Sequence, residues 1–206
     1  MTFPDKTFSA VGDFATAYFE ASAVAAASVD PEKLAEAAAL LGEAYESGAM
    51  VFSCGNGGSA AISNHLTCDH LKGTQTDTDL LPRVVSLSTT IETITAIAND
   101  FSYDDIFIYQ LRTLANEGDV LVTISSSGDS ENVVRACQWA KDNGVSVIAM
   151  TGFDGGRSAD LADVNLHVEG DNYGVLEDAH QSLMHILSQF IRHERMDEAL
   201  IKSRKF

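Results

Sequence analysis

The sequence predicts an α/β protein built on a doubly wound, five-stranded parallel sheet, and three observations predict it. Short apolar runs alternate with helical stretches from residue 48 onward, the order that builds right-handed βαβ units with helices on both faces of a sheet. Several runs are continuous and β-branched, as strands buried on both faces are. The two loops richest in glycine and serine each follow an apolar run, where doubly wound sheets place their ligands.

In chain order, residues 8–28 and 31–47 come first, rich in Ala, Leu and Glu, which are strong helix formers. Asp30-Pro31 supplies an N-cap followed by proline at the first helical position, a clean start for the second helix. The Ala-rich stretches in both suit close helix–helix approach, for which a subunit interface is one use. The expected strands are 49–52, 84–87, 120–124, 145–150 and 164–168, with helices at about 59–72, 91–98, 103–116, 130–143, 156–162 and 175–195. The charged residues 196–206 lack periodicity and read as a surface tail. No linker or internal repeat interrupts the chain. The expectation is one domain over 1–206: a helical oligomerisation segment 1–47, an α/β core 48–195 and the tail.

Composition narrows the function. The 206 residues are 45% hydrophobic and 21% charged, values of an ordinary globular protein rather than a disordered or disulfide-rich one. Thirteen basic against 30 acidic residues give a formal charge of −17, so nucleic acid and anionic membranes are not expected partners. No apolar run approaches the ~20 residues of a membrane span, and the first residues lack the basic and apolar regions of a signal peptide. Cys54, Cys68 and Cys137 have no Cys-x-x-Cys spacing and read as reduced thiols in a cytoplasmic protein. If the ligand is an anion, something local must hold it against the global field.

Two loops are suited to that. Ser53-Cys54-Gly55-Asn56-Gly57-Gly58-Ser59 follows the first strand, its glycines allowing close backbone approach and Ser59 lying at a helix start. Ser125-Ser126-Ser127-Gly128-Asp129-Ser130 follows the third strand and sets four hydroxyls around one glycine. Read singly, each is also compatible with a tight turn, and Ser130 with a plain N-cap. Read together, they describe a hydroxyl-lined cup for a small phosphate ester, with neither a dinucleotide fingerprint nor a P-loop lysine.

The segments Gly55-Asn56-Gly57-Gly58-Ser59-Ala60 and Ile124-Ser125-Ser126-Ser127-Gly128-Asp129-Ser130-Glu131-Asn132 resemble the phosphosugar pocket of the SIS (sugar isomerase) domain family. The likeness is greatest to its phosphoheptose isomerases. It extends through 95–100, 118–125, the turn at 151–156 and a helix carrying His180 and His185. The resemblance implies a flavodoxin-like strand order, a homotetramer with sites at subunit interfaces, and aldose–ketose isomerisation of sedoheptulose 7-phosphate through an enediol. It implies substrate binding by Asn56, Gly57, Gly58, Ser59, Asp100, Ser125, Ser126, Ser127 and Ser130.

His65 and Asp69 share a helix face at i and i+4. The family has histidine and glutamate there, so the resemblance gives His65 to a metal and makes Asp69, one methylene shorter, the base. On the last helix it makes His185 the acid/base partner and a metal ligand, and Glu177 stands where the family has a ligating glutamine. The implied set His65, Asp69, Glu177 and His185 suits a divalent metal, zinc or a similar first-row ion. Glu177 and His185 are eight residues apart, about 12 Å along a regular helix, so both reach one ion only by stretching toward each other. His180 is the nearer partner for Glu177, as a ligand or as a packed histidine. Gly174 occupies a position where relatives place a substrate-contacting aspartate; Asp171 and Asn172 are the candidates to compensate. His167 and His193 read as structural or exposed.

Two other readings stay open: a non-catalytic phosphosugar-binding adaptor of the same family, and an isomerase of another sugar phosphate. Asp69 and His185 favour the enzyme, since a binding protein needs neither.

Overall fold

A computed structural model describes residues 2–206. Two antiparallel-capable Ala-rich helices, α1 (Val11–Ala26) and α2 (Pro31–Ser47), precede the sheet. The Asp30 carboxylate caps α2 by accepting from Glu32 N–H, and Gly48 ends it in the left-handed region. The strands are β1 (Met50–Gly55), β2 (Arg83–Ser86), β3 (Val120–Ser125), β4 (Ser146–Thr151) and β5 (Val164–His167). All pair parallel in the order β2-β1-β3-β4-β5, the flavodoxin-like order. The remaining helices are α3 (Gly58–Cys68), α4 (Ile91–Asp100), α5 (Ile108–Leu114), α6 (Glu131–Asp142), α7 (Gly156–Leu161), α8 (Tyr173–Arg195) and α9 (Glu198–Ile201). No helix among the described residues is long and apolar enough to cross a membrane.

Strand alternation divides the core in two. Val120, Val122 and Ile124 of β3 and Ile148 and Met150 of β4 face α1, α2, α3 and α8. Leu121 and Val147 face the opposite way, with Phe52 and Cys54, toward α4, α5 and α6. Both faces are covered, which is why these strands read as continuous apolar runs.

That division positions the site. Between neighbouring β1 and β3 the strand order reverses, and the helices that follow, α3 and α6, go to opposite faces. Their diverging loops open a crevice at the carboxyl edge, the switch point of a doubly wound sheet. At the other edge the buried Asp119 carboxylate accepts from Met50 N–H and Asn116 N–H, both at 2.8 Å, and its carbonyl accepts from Ser146 N–H. One residue thereby ties the entries of β1, β3 and β4.

Several boundaries differ from expectation. β1 and β3 run on through Gly55 and Ser125, so the first serine or glycine residues of each loop are held in the sheet. The helix expected over 103–116 breaks into a 3₁₀ turn, Tyr103–Asp105, and α5, because the Ser102 hydroxyl caps Asp104 N–H and starts a separate turn. The helix expected to 72 leaves α geometry at Asp69 and closes as a π-helical turn, Asp69–Gly73. The expected tail contains α9, and Arg204 pairs with Asp77 while Arg192 lies over the Phe206 ring.

Asp119→Ala leaves two backbone donors without a partner at the sheet edge and is expected to cost about 2–4 kcal/mol. Urea denaturation read by circular dichroism checks this.

Candidate active site

The first loop is a tight passage from β1 into α3. A Cβ at Gly55 would stand 2.7 Å from Ile124 O and 2.8 Å from Ser59 Cβ, so only glycine lets the loop close over the strand end. Ser59 is buried in the first turn of α3, where a helix leaves opening N–H groups without intrahelical partners. The Asn56 side chain is held within the loops. Its amide exchanges two 2.9 Å hydrogen bonds with the Asn132 amide and accepts a third, at 2.8 Å, from the Tyr103 hydroxyl. It braces the two loops and the 3₁₀ turn at Tyr103–Asp105 together.

The second loop follows β3. Ser125 Oγ accepts from Gly128 N–H and Ser127 Oγ from Asp129 N–H. Ser126 Oγ is buried without a hydrogen-bond partner. Ser130 holds the N-cap position of α6, yet its hydroxyl makes no capping bond. A turn built only for its own sake would use these hydroxyls internally; here two are left to donate. Gly128, at φ +62°, rests directly on the loop after β4: a Cβ there would collide with the carbonyl oxygen of Gly155. Ser158 N–H donates to Gly128 O at 2.8 Å, and Gly152 N–H to Ser126 O at 2.9 Å. Behind the rim, Arg157 pairs with Asp129 and Glu131, and Arg135 with Glu131, Asp104 and Asp105. These guanidiniums hold the Asp129 and Glu131 carboxyls below the usual range. Both cations are engaged by carboxylates, so the free donors of the loop are neutral.

The catalytic candidates meet on α3 and α8. His65 Nε2 lies 3.3 Å from Asp69 Oδ1, and His185 Nε2 lies 3.3 Å from Asp69 Oδ2. The two imidazoles meet edge to face, with centroids 5.1 Å apart. Among the described residues, these three offer ligand atoms that all lie within 4.8 Å of one another. Two imidazoles and a carboxylate fit a divalent first-row metal.

Glu177 does not join them. Its carboxylate rests over Gly58 at the amino end of α3, where a Cβ would run into it; two helical turns separate it from His185, as the spacing warned. Gln181, which drew no attention in the sequence, stands between them and contacts His65 Nδ1 and His185 Nε2, each at 3.1 Å. Its spacing of four from His185 was the available signal. His180 is buried and points away, Nε2 on Thr151 O at 3.1 Å, with its pKa pushed down to about 4 by burial. His167 packs beside it on the Thr151 hydroxyl.

Asp100 is exposed at the end of α4 and accepts from Asn99. Neither candidate to compensate for Gly174 is available: Asp171 accepts from Phe3 N–H, and Asn172 caps α8 and donates to Phe3 O. The space beside Gly174 is taken by the Tyr18 hydroxyl of α1, 3.0 Å from where a Cβ would be. That hydroxyl donates to Asp178 at 2.7 Å, and burial with this carboxylate pushes its pKa up to about 12.

The trio is aligned by stitching between the π-turn region and α8. His70 Nε2 lies 3.3 Å from Met184 O, Thr74 donates to Ser188 O at 3.4 Å, and Arg192 donates to Thr76 O at 2.9 Å. The contacts fall once per turn of α8. A carbonyl only accepts, so His70 Nε2 carries the hydrogen and Nδ1 accepts from the Tyr45 hydroxyl at 2.6 Å. Burial lowers the His70 pKa to about 4, which keeps it neutral in this role.

Comparison with known proteins follows the same lines. A sequence profile described as SIS domain matches residues 17–152. The chain is 39% identical to a phosphoheptose isomerase of Alteromonas mediterranea over 171 residues, 82% of this chain and 86% of that one. It is 41% identical to one of Colwellia psychrerythraea over 147 residues, 70% and 74% of the two chains. The structure of phosphoheptose isomerase from Neisseria gonorrhoeae superimposes with a TM-score of 0.82 at 33% identity, covering 89% of this chain and all of that one.

Tyr45→Phe leaves buried Nδ1 of His70 unpaired and is expected to cost about 1–3 kcal/mol. Combining it with His70→Leu should cost less than the two single changes summed, measured as a double-mutant cycle in denaturant.

Proposed function

The chain belongs to the SIS domain family, and we propose that it is a phosphoheptose isomerase, interconverting sedoheptulose 7-phosphate and its aldose, a heptose 7-phosphate. The observation that carries this reading is that α3 opens in the first hydroxyl-bearing loop and ends at a His–Asp–His cluster, His65 on the helix and Asp69 on the π-helical turn that follows it meeting His185 of α8. Ser59 and His65 are six residues apart on α3, about 9 Å along its axis, the scale of an open-chain sugar between its phosphate and its carbonyl end.

In this reading Ser59, Ser125, Ser127 and Ser130 hold the phosphate, with the N–H groups that open α3 and α6. Ser126 is set behind them with its hydroxyl unpaired, and Gly57, with open space where a Cβ would stand, gives the phosphate room. Asp100 receives sugar hydroxyls. Asp69, as base, removes a proton from C1 of the ketose while the C2 carbonyl oxygen gains one, giving the enediol. The O1–H proton then leaves and a proton returns to C2, giving the aldose; His185 moves the protons on oxygen. The metal would be held by His65, Asp69 and His185, and zinc is the ion this donor set suits. When bound, it supplies Lewis-acid polarisation of the substrate oxygens. Two histidines and a shared carboxylate are more than a phosphosugar-binding adaptor requires.

The same reading includes a single domain in a cytoplasmic homotetramer. Val11, Phe19 and Val24 of α1 are 85%, 70% and 51% exposed, and an apolar surface of that kind supports burial between subunits.

A coupled assay on sedoheptulose 7-phosphate tests the activity. Asp69→Asn and His185→Ala are each expected to lower kcat by about 10²–10⁴-fold, whereas Ser127→Ala should chiefly raise KM. A wild-type protein that binds the sugar phosphate without turning it over at millimolar concentration is a binding protein, and the reading fails. Turnover confined to a shorter ketose phosphate overturns the heptose assignment alone.

A further inference from the structure

We infer that Tyr18 of α1 is a specificity-determining residue, whose hydroxyl oxygen accepts a hydrogen bond from a sugar hydroxyl of the substrate at the amino end of α8. The inference rests on the sugar-phosphate reading above. It brings a residue of the helical segment that precedes the sheet into the site.

Three neighbours place the side chain there. Its hydroxyl donates to Asp178 Oδ2 at 2.7 Å and lies 3.0 Å from the point where a Cβ of Gly174 would be. Gly174 and Asp178, four residues apart, share one face of α8. Glu177 beside them lays its carboxylate over Gly58 at the amino end of α3, and its charge acts on the Tyr18 hydroxyl. The phenol therefore stands where the start of α8 faces the first loop.

The ring is held from behind. Phe3 meets it edge to face with centroids 5.7 Å apart, and Phe14 stacks on it at 6.4 Å. Phe3 is in turn tied to the residues that lead into α8: its N–H donates to Asp171 and its carbonyl accepts from Asn172. Phenylalanine at position 18 would complete the same aromatic cluster, so packing alone does not call for the hydroxyl.

A phenol carries one hydrogen and can also accept. Asp178 takes the hydrogen, which leaves the oxygen as a fixed acceptor. Burial and the neighbouring carboxylates push the Tyr18 pKa up to about 12, so the hydrogen stays in place at neutral pH. The Asp178 carboxylate is exposed and adds further lone pairs. Such a pair receives O–H groups and repels a phosphate, so it reads the polyol part of the substrate while the serines hold the anion.

The test compares wild type with Tyr18→Phe in the coupled assay on sedoheptulose 7-phosphate. Inorganic phosphate, as a competitive inhibitor, reports on the serine loops alone. Tyr18→Phe is expected to raise KM about three- to tenfold, the equivalent of one lost hydrogen bond. Both kcat and the phosphate inhibition constant should stay within about twofold of wild type. Loss of the phenol oxygen also clears the space beside Gly174. Gly174→Ser in the Tyr18→Phe background returns a hydroxyl next to that point and should recover most of the KM, a rescue that a merely structural role would not show. An unchanged KM in Tyr18→Phe overturns the inference. So does a KM rise matched by the phosphate inhibition constant, or one that the serine fails to restore. A wild type that binds the sugar phosphate without turnover overturns the isomerase reading instead; the same variants are then compared by calorimetric dissociation constants, with the same outcomes deciding.

Discussion

Everything at the site depends on how the chain leaves the sheet between β1 and β3. These strands are parallel neighbours, with Gly55 in register with Ile124, and so deliver their loops to the same edge. Because α3 and α6 then pack on opposite faces, the loops must part, and two helix starts and two polar loops converge on the gap between them. Asn56 and Asn132 fix its width through reciprocal amide bonds. The crevice is thus a by-product of topology, and the sequence has only to line it.

The lining answers the problem posed by a chain of formal charge −17. In the proposed reading, hydroxyls and backbone N–H groups at helix starts take the anion. The arginines behind the second loop serve the loop's carboxylates instead. Exposed ion pairs of that kind contribute little individually, but a shared network spanning α6, α7 and the 3₁₀ turn holds the rim to three elements. On the reactive side, the π-helical turn changes the direction of the chain at Asp69, and its once-per-turn attachment to α8 faces that carboxylate toward His65 and His185. π-Helical turns recur at functional positions because they place side chains where regular α geometry cannot.

The fold was legible because binary pattern and loop chemistry agreed: apolar runs buried on both faces, then glycine and serine at the carboxyl ends of two strands. The His65–Asp69 pair was equally legible, since i, i+4 spacing on a helix leaves little freedom. What depended on tertiary contact was not. Nothing local to Asn56 announces that Asn132, 76 positions away, holds its side chain. Glu177 reads as a metal ligand by its alignment, and only the packing of α8 against Gly58 shows where its carboxylate goes. Gln181 was invisible because a glutamine on a helix is ordinarily a solvated side chain. Tyr18 lies 156 residues from the glycine it covers, beyond the reach of any local pattern.

Gly128 and the loop after β4 are interlocked so closely that neither has room for one more carbon atom. Small adjustments to this half of the pocket are therefore closed to the chain, since any side chain at Gly128 would have to arrive together with a rerouted partner loop. Variation has freer scope elsewhere, at Tyr18 and the exposed end of α4, where side chains end in open space or on other side chains. On the proposed reading the anion cup is a fixed module, and divergence within such a lineage would be written where the sugar lies.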